Sequence, residues 1–133
     1  SLGLLAESSQ QALIMGSFGA SIFLVMAVPD LPFAQPRNVL AGHFLASAIG
    51  LACFHFIGEG FFIMGFALGL TTVAMLFFKV AHPPAGSNPI AIFLAGPDWS
   101  FLVTPTLAGA LVIVALGIAY NNVWADRSYP KYW

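Results

Sequence analysis

Gly86-Ser87-Asn88, placed just after Pro83-Pro84 and just before Pro89, is the stretch of this chain best suited to holding a ligand. Glycine lets a ligand approach the backbone closely, and hydroxyl and amide side chains supply hydrogen-bond donors. Pro83 and Pro84 each remove a backbone donor and restrict the residue before them, so residues 81–89 (AHPPAGSNP) cannot all be helix. Asn88 followed by Pro89 reads as an N-cap with proline at the first helical position, which predicts a half-helix from about Pro89 to Ala95 after extended chain. The first backbone N–H groups of such a helix lack partners, and its dipole favours an anion there without any buried formal charge.

A second copy of this arrangement lies about seventy residues earlier. Gly16-Ser17 with Ile22-Phe23-Leu24 returns as Gly86-Ser87 with Ile92-Phe93-Leu94, and Pro29-Asp30 returns as Pro97-Asp98. Leu40-Ala41-Gly42 likewise answers to Leu107-Ala108-Gly109. Paired interrupted segments point to a central binding site in transporters. Gly16, Ser17, Gly19 and Ser21 are therefore the expected counterpart of Gly86, Ser87 and Asn88, with two half-helix N-termini facing each other. The competing reading is that small residues only let helices pack closely. Packing accounts well for Gly65, Gly69, Gly109 and Gly117, and poorly for Gly86-Ser87-Asn88.

His82 opens the broken segment and is a candidate anion sensor or proton shuttle, with the capping of backbone carbonyls as the alternative. His43 and His55 are twelve residues apart in one helix, ~18 Å along its axis and out of phase. They cannot share a metal or haem, and each is expected to be packed or hydrogen-bonded. Arg37 and Lys79 end spans, where snorkelling and topology are the default roles; drawing anions into a cytoplasmic vestibule is secondary. Glu59 reads as a solvated loop charge. Trp99, Tyr120, Trp124, Tyr129, Tyr132 and Trp133 fit interfacial belts. The lone Cys53 offers neither disulfide nor metal site. With no phosphate-binding loop, zinc spacing or triad pattern, the expectation is a protein that is not an enzyme, with no metal, no cofactor and no nucleic-acid partner.

The elements that must hold these residues belong to a membrane. The 133 residues are 59% hydrophobic and 7% charged, with mean hydropathy +0.91; a soluble domain carries about 25% charged residues. Val39–Ile57, Phe61–Phe78 and Phe101–Tyr120 are each long enough to span, at ~20 apolar residues. Asn38 is the expected cap of the first, and Asn121-Asn122 closes the last. Gln11–Val28 and Val80–Ala95 are the irregular segments. If both cross, Arg37, Lys79, Arg127 and Lys131 fall on one side and Glu59 and Asp98 on the other, so the positive-inside rule favours crossing and a cytoplasmic C-terminus.

The resulting expectation is an all-α polytopic membrane helix bundle in a single membrane domain over residues 1–133. Two inverted three-span repeats, about 1–57 and about 60–122, precede a cytoplasmic tail at 123–133. Ser1–Glu7 would be the end of a first span mostly missing from the sequence. A five-span protein without symmetry is the alternative.

AHPPAG at residues 81–86 resembles the signature of the HPP family of small integral membrane proteins. GSFGAS (16–21), AQPRNVLAGH (34–43), SFLVTPTLAGA (100–110) and the terminal YPKYW extend the likeness over nearly all of residues 16–133. The resemblance implies a multi-span protein; plastid and cyanobacterial members are associated with nitrite transport, and some carry a regulatory CBS domain. It marks His82, Pro83, Pro84, Ala85 and Gly86, with Arg37 and Asn38, as family positions. Ser87-Asn88-Pro89 departs from the Ala-Thr-Ala usual after that glycine, on the residues expected to face the anion. The function expected is a channel or secondary transporter for a small inorganic anion such as nitrite, in a bacterial inner membrane. The rival is an accessory subunit of a larger membrane complex. A homo-oligomer would favour transport, and a fixed place among other subunits the rival.

Overall fold

The computed structural model describes residues 2–133. Helix α1 runs without interruption from Leu2 to Ala27. Gly16 and Gly19 do not break it, because in a bilayer every backbone group must be satisfied internally, and that outweighs the ~1 kcal/mol propensity cost of each glycine. The expected break in the first half is therefore absent, and residues 2–7 begin the same helix that contains residues 11–27 instead of ending an earlier span. Ser1 lies outside the described residues.

The turn after α1 is tied by Gln35, whose Nε2 donates to the carbonyls of Pro29 (2.8 Å) and Leu31 (3.0 Å). Helix α2 (Pro36–Ala52) starts on Pro36 with Gln35 at its N-cap, and widens into a last turn over Cys53–Ile57. Asn38 is thus inside the helix; its side chain donates to Ala81 O at 2.9 Å instead of capping. Helix α3 covers Phe61–Phe77. The chain then turns at Lys79 (φ 57°) and descends along the start of α2. Gly42 makes that approach possible, since a Cβ there would meet the His82 Cβ at 2.6 Å.

Pro83–Ser87 forms tight 3-10 turns, not extended chain, and passes directly into α4 (Asn88–Ala95). Asn88 is the first residue of α4 and makes no capping bond, which leaves its side chain free for the interior. Gly96 (φ 60°) closes α4. Trp99–Leu102 starts on Asp98, which accepts from the backbone N–H (2.9 Å) and hydroxyl of Ser100. These bonds hold the Asp98 carboxyl below its ordinary range. The last span breaks at Thr104 (φ −133°, ψ 119°) ahead of Pro105, a discontinuity not anticipated within Phe101–Tyr120. Helix α5 (Ala108–Ala119) and a wide turn over Tyr120–Trp124 complete it.

Among the described residues three helices are long and apolar enough to cross a bilayer, Gly3–Ala27, Pro36–Ile57 and Trp99–Trp124, with Phe61–Phe77 shorter. The segment through α4 follows the length of α2, from Ala81 bonded to Asn38 to Pro97 bonded to His55 (2.8 Å). The four basic residues gather at one end. Arg37 reaches Phe78 O (3.4 Å), Arg127 bonds Met26 O, and Lys131 pairs with Asp30 (3.4 Å).

Packing follows the small residues unevenly. Gly109 receives the Phe18 ring, Gly117 the Val25 side chain, and Gly50 the Ile92 Cδ1, 2.9 Å from where a Cβ would sit. Gly65 and Gly69 face open space, so the close packing expected of them is not made within this chain. The α3 surface around them (Phe62 88% exposed) suits lipid. Tyr129 departs from the expected belt: it is buried against Gly117 and donates its hydroxyl to Ala34 O at 2.6 Å.

Candidate functional site

Ser17 and Ser21 are one turn apart on α1, and His43 and Ser47 are one turn apart on α2, so each pair shares a helix face. The descent from Lys79 brings His82 against these faces, α4 brings Asn88, and the break at Thr104 brings Thr106. All these side chains are buried. They are polar groups in an apolar bundle, where each needs a partner. The partners are one another.

His82 Nδ1 lies 2.7 Å from Phe33 O, and Nε2 lies 2.7 Å from Ser21 Oγ. Ser21 Oγ also lies 2.9 Å from His43 Nε2 and 3.0 Å from Ser17 O. His43 Nδ1 and Ser47 Oγ each stand 3.1 Å from Asn88 Nδ2. Ser17 Oγ donates toward Asn88 Oδ1 (2.9 Å) and Pro84 O (2.8 Å), and Ser47 meets Thr106 at 2.9 Å.

Hydrogen positions follow from the partners. Phe33 O only accepts, so His82 carries its proton on Nδ1 and accepts at Nε2 from Ser21. Asn88 Nδ2 only donates, so His43 accepts at Nδ1 and donates from Nε2 to Ser21. The result is one chain with a single direction, Asn88→His43→Ser21→His82→Phe33 O. In this pattern both imidazoles are neutral.

Cavities flank the network toward opposite ends of the bundle. One of about 320 Å³ is bordered by Phe33, Thr72, Ala81, His82, Pro83 and Gly86, toward the basic end. Another of about 430 Å³ is lined by Gln11, Ile14, Met15, Phe18 and Pro105, toward the end that carries Asp98. Phe18 closes the second from the network, its ring 5.2 Å from that of His43.

Of the residues singled out from sequence, Ser17, Ser21, His82 and Asn88 meet in this network. Gly86 borders the adjacent cavity, and a Cβ there would meet nothing within 4 Å. Ser87 turns back to Pro84 O (3.2 Å) and stays out of the network. Gly16 and Gly19 face outward from α1 with open surroundings and do not join it. Because α1 is continuous, there is no second half-helix N-terminus opposite α4. Arg37 and Lys79 are exposed at the basic end. His43, Ser47 and Thr106 were not assigned to the site from sequence; the i, i+4 spacing of His43 and Ser47 and the Thr104-Pro105 dipeptide were the available signals. Among the described residues no group of three or more His, Cys, Asp or Glu is placed to hold a metal. His55, at the other end, stacks on Trp99 with ring centroids 5.9 Å apart.

A closed polar network at the centre of apolar, membrane-length helices defines a multi-pass integral membrane protein. The chain belongs to the HPP family, matching "HPP, transmembrane region" over residues 1–130. It is similar to two transmembrane proteins of Dictyostelium discoideum. One is 33% identical over 136 residues, covering 96% of this chain and 48% of the relative. The other is 30% identical over 128 residues, covering 90% and 41%. The chain thus spans about half or less of the length of the curated relatives it matches. No solved structure matches it.

Proposed function

We propose that this chain is a secondary transporter or channel domain, not an enzyme, that passes a small inorganic anion of the nitrite type through its polar centre. The observation that carries this reading is the pair of cavities toward opposite ends, one bordered by His82 of the buried network and the other by Phe18, whose ring lies 5.2 Å from that of His43. Polar groups this deep in a membrane are costly and are kept where a solute must be handled. The ion would enter past Gly86 and exchange hydrogen bonds with Ser17, Ser21, His82 and Asn88, in place of the bonds these groups now make to each other. Movement of Phe18 would open the other side.

The arrangement also supports an inverted repeat as the moving framework, though with one unbroken and one broken lead segment. α1 ends at the basic end, whereas the segment through α4 starts there. Gly50 packs under Ile92, and its counterpart Gly117 packs under Val25. By the positive-inside rule we place the basic end, and the C-terminus with it, in the cytoplasm, a bacterial inner membrane being the expected setting. The accessory-subunit reading draws its support from the open glycine face of α3 at Gly65 and Gly69, which another helix would fit, from a second copy or a foreign subunit.

Proteoliposomes loaded with an internal nitrite indicator test the reading. Nitrite entry above that of protein-free liposomes is expected, with Gly86→Leu abolishing it while the thermal unfolding profile is kept. Entry no faster than in protein-free liposomes for nitrite, formate and chloride alike would overturn transport in favour of the accessory role.

A further inference from the structure

The network carries no formal charge in its assigned hydrogen pattern, so an anion entering it would bring an uncompensated charge to the middle of the bundle. The network also contains the means to compensate it. We propose that His43, Ser21 and His82 form a proton relay, and that the anion crosses together with one proton held on this pair; the second clause rests on the transport reading above.

Ser21 Oγ has three neighbours within hydrogen-bond reach and one proton to give. In the neutral pattern it gives that proton to His82 Nε2 at 2.7 Å. When a proton arrives on His82 Nε2 from the cavity it borders, the hydroxyl turns to Ser17 O, 3.0 Å away, and accepts from His82 Nε2–H. No heavy atom has to move. His82 is then an imidazolium, with Nδ1–H still on Phe33 O.

Passage between the rings needs one further rearrangement, and the partners for it are in place. A proton that enters past Phe18 is taken up on His43 Nδ1 as the Asn88 amide flips, so that Oδ1 accepts from this N–H and from Ser47 Oγ. The flipped Nδ2 donates to Ser17 Oγ, which keeps Pro84 O as its own acceptor at 2.8 Å. His43 is then an imidazolium with protons on both Nδ1 and Nε2. The His43 Nε2 proton passes to Ser21 Oγ as the Ser21 proton passes to His82 Nε2. One N–H bond breaks and one forms, and the positive charge moves from His43, beside Phe18 and the far cavity, to His82, beside the near one. The rings, 5.0 Å apart, are bridged at every stage by the single hydroxyl.

Among the described residues nothing else titratable faces the pair. α1 presents Ser17, Phe18 and Ser21, and the turn before α2 presents Phe33 O. α2 presents Ser47 and α4 presents Asn88. Val80 and Ala81, between α3 and the turns at Pro83, present backbone, and Thr106 leads into α5. Arg37 and Lys79 are exposed at the basic end, and Glu7, Glu59 and Asp98 are exposed elsewhere. Each histidine is therefore the other's only ionisable neighbour, and the pair takes up one proton in preference to two. One proton matches one negative charge. The ligand class is a small monovalent anion, carried without net charge movement.

The test has two independent arms on the full chain in lipid. In the first, 15N-histidine NMR follows His43 and His82 in nanodiscs from about pH 8 to about pH 5, where histidines ordinarily titrate. The relay predicts His82 protonated on Nδ1 and His43 on Nε2 at the high end, and a single proton shared by both rings as pH falls. Ser21→Ala should make the two titrate separately, and Ser21→Thr, which keeps the hydroxyl, should restore the coupling. Independent titration in the wild-type chain, no protonation of either ring, or coupling unchanged by Ser21→Ala would each overturn the relay.

In the second arm, proteoliposomes report nitrite entry and internal pH together, with protein-free liposomes as the control. Acidification by one proton per nitrite, unaffected by an imposed potassium diffusion potential, supports the coupled passage. Nitrite entry that responds to the potential and leaves internal pH unchanged overturns it while leaving transport standing. Coupled titration with no nitrite entry overturns the transport reading, and the coupled passage with it, while upholding the relay.

Discussion

Asn88 and His43, forty-five residues apart, meet with the amide nitrogen 3.1 Å from the imidazole Nδ1. Because the amide nitrogen can only donate, this contact fixes which tautomer His43 adopts, and through Ser21 it orients His82 as well. A side chain expected to cap its own helix instead sets the hydrogen positions of the buried centre.

Asn88→Ala should destabilise the protein by about 1–3 kcal/mol, because it leaves the buried His43 Nδ1 without a donor. Ser17 and Ser47 keep second partners, Pro84 O and Thr106, so the loss should not exceed that range. Thermal unfolding in detergent measures it; an unchanged Tm would mean the amide is not bearing on His43.

Two glycines with opposite surroundings give a paired test. Gly117→Val would drive a side chain into Val25, and overpacking of this kind costs about 1–3 kcal/mol. Gly65→Val points into open space on α3 and should leave Tm within experimental scatter in detergent. If Gly65→Val also lowers the melting temperature of an oligomer resolved by light scattering, a second copy packs there.

Thr71 is buried on α3, and its hydroxyl has no hydrogen-bond partner among the described residues. Thr71→Val removes that group at nearly constant volume, so it should be neutral or stabilising by about 1 kcal/mol. A clear loss of stability would indicate a partner for the hydroxyl in the intact membrane protein.

Tyr129 links the tail to the turn before α2, and burial pushes its phenol up to about 12 from an ordinary 10.0. The unfolded chain therefore loses this proton first. The contribution to stability is complete below about pH 10 and is lost progressively as pH rises toward 12. Unfolding across this range should show stability falling with pH, and Tyr129→Phe should flatten that part of the curve. Lys131→Ala should leave Tm unchanged by comparison, since its pair with Asp30 is solvent-exposed.

The membrane class, the spans at 39–57 and 101–120, the apolar helix within 61–78, the interruption at Pro83-Pro84 and the gathering of basic residues at one end were all legible in the chain. They depend on local properties: apolar run length, proline's missing donor and the side on which charges fall. Ser17, Ser21 and Asn88 were legible as hydrogen-bond donors at expected half-helix N-termini, and His82 as a candidate sensor or proton shuttle. Their partners were not. A glycine-serine pair that looked like a helix break is a continuous helix, because only the surrounding bundle determines whether backbone can leave the helix at that depth. Asn88 reads as a cap in isolation, and only the docking of α4 on α2 turns its amide toward His43. Ser47, Thr106 and Tyr129 drew no site assignment, since sequence spacing within one helix does not reveal which helix stands opposite. Local rules decided which segments are helical and that Pro83-Pro84 interrupts one of them; the joining of two distant histidines through one serine required the packed bundle, because hydrogen bonds between elements depend on distances that no single element contains.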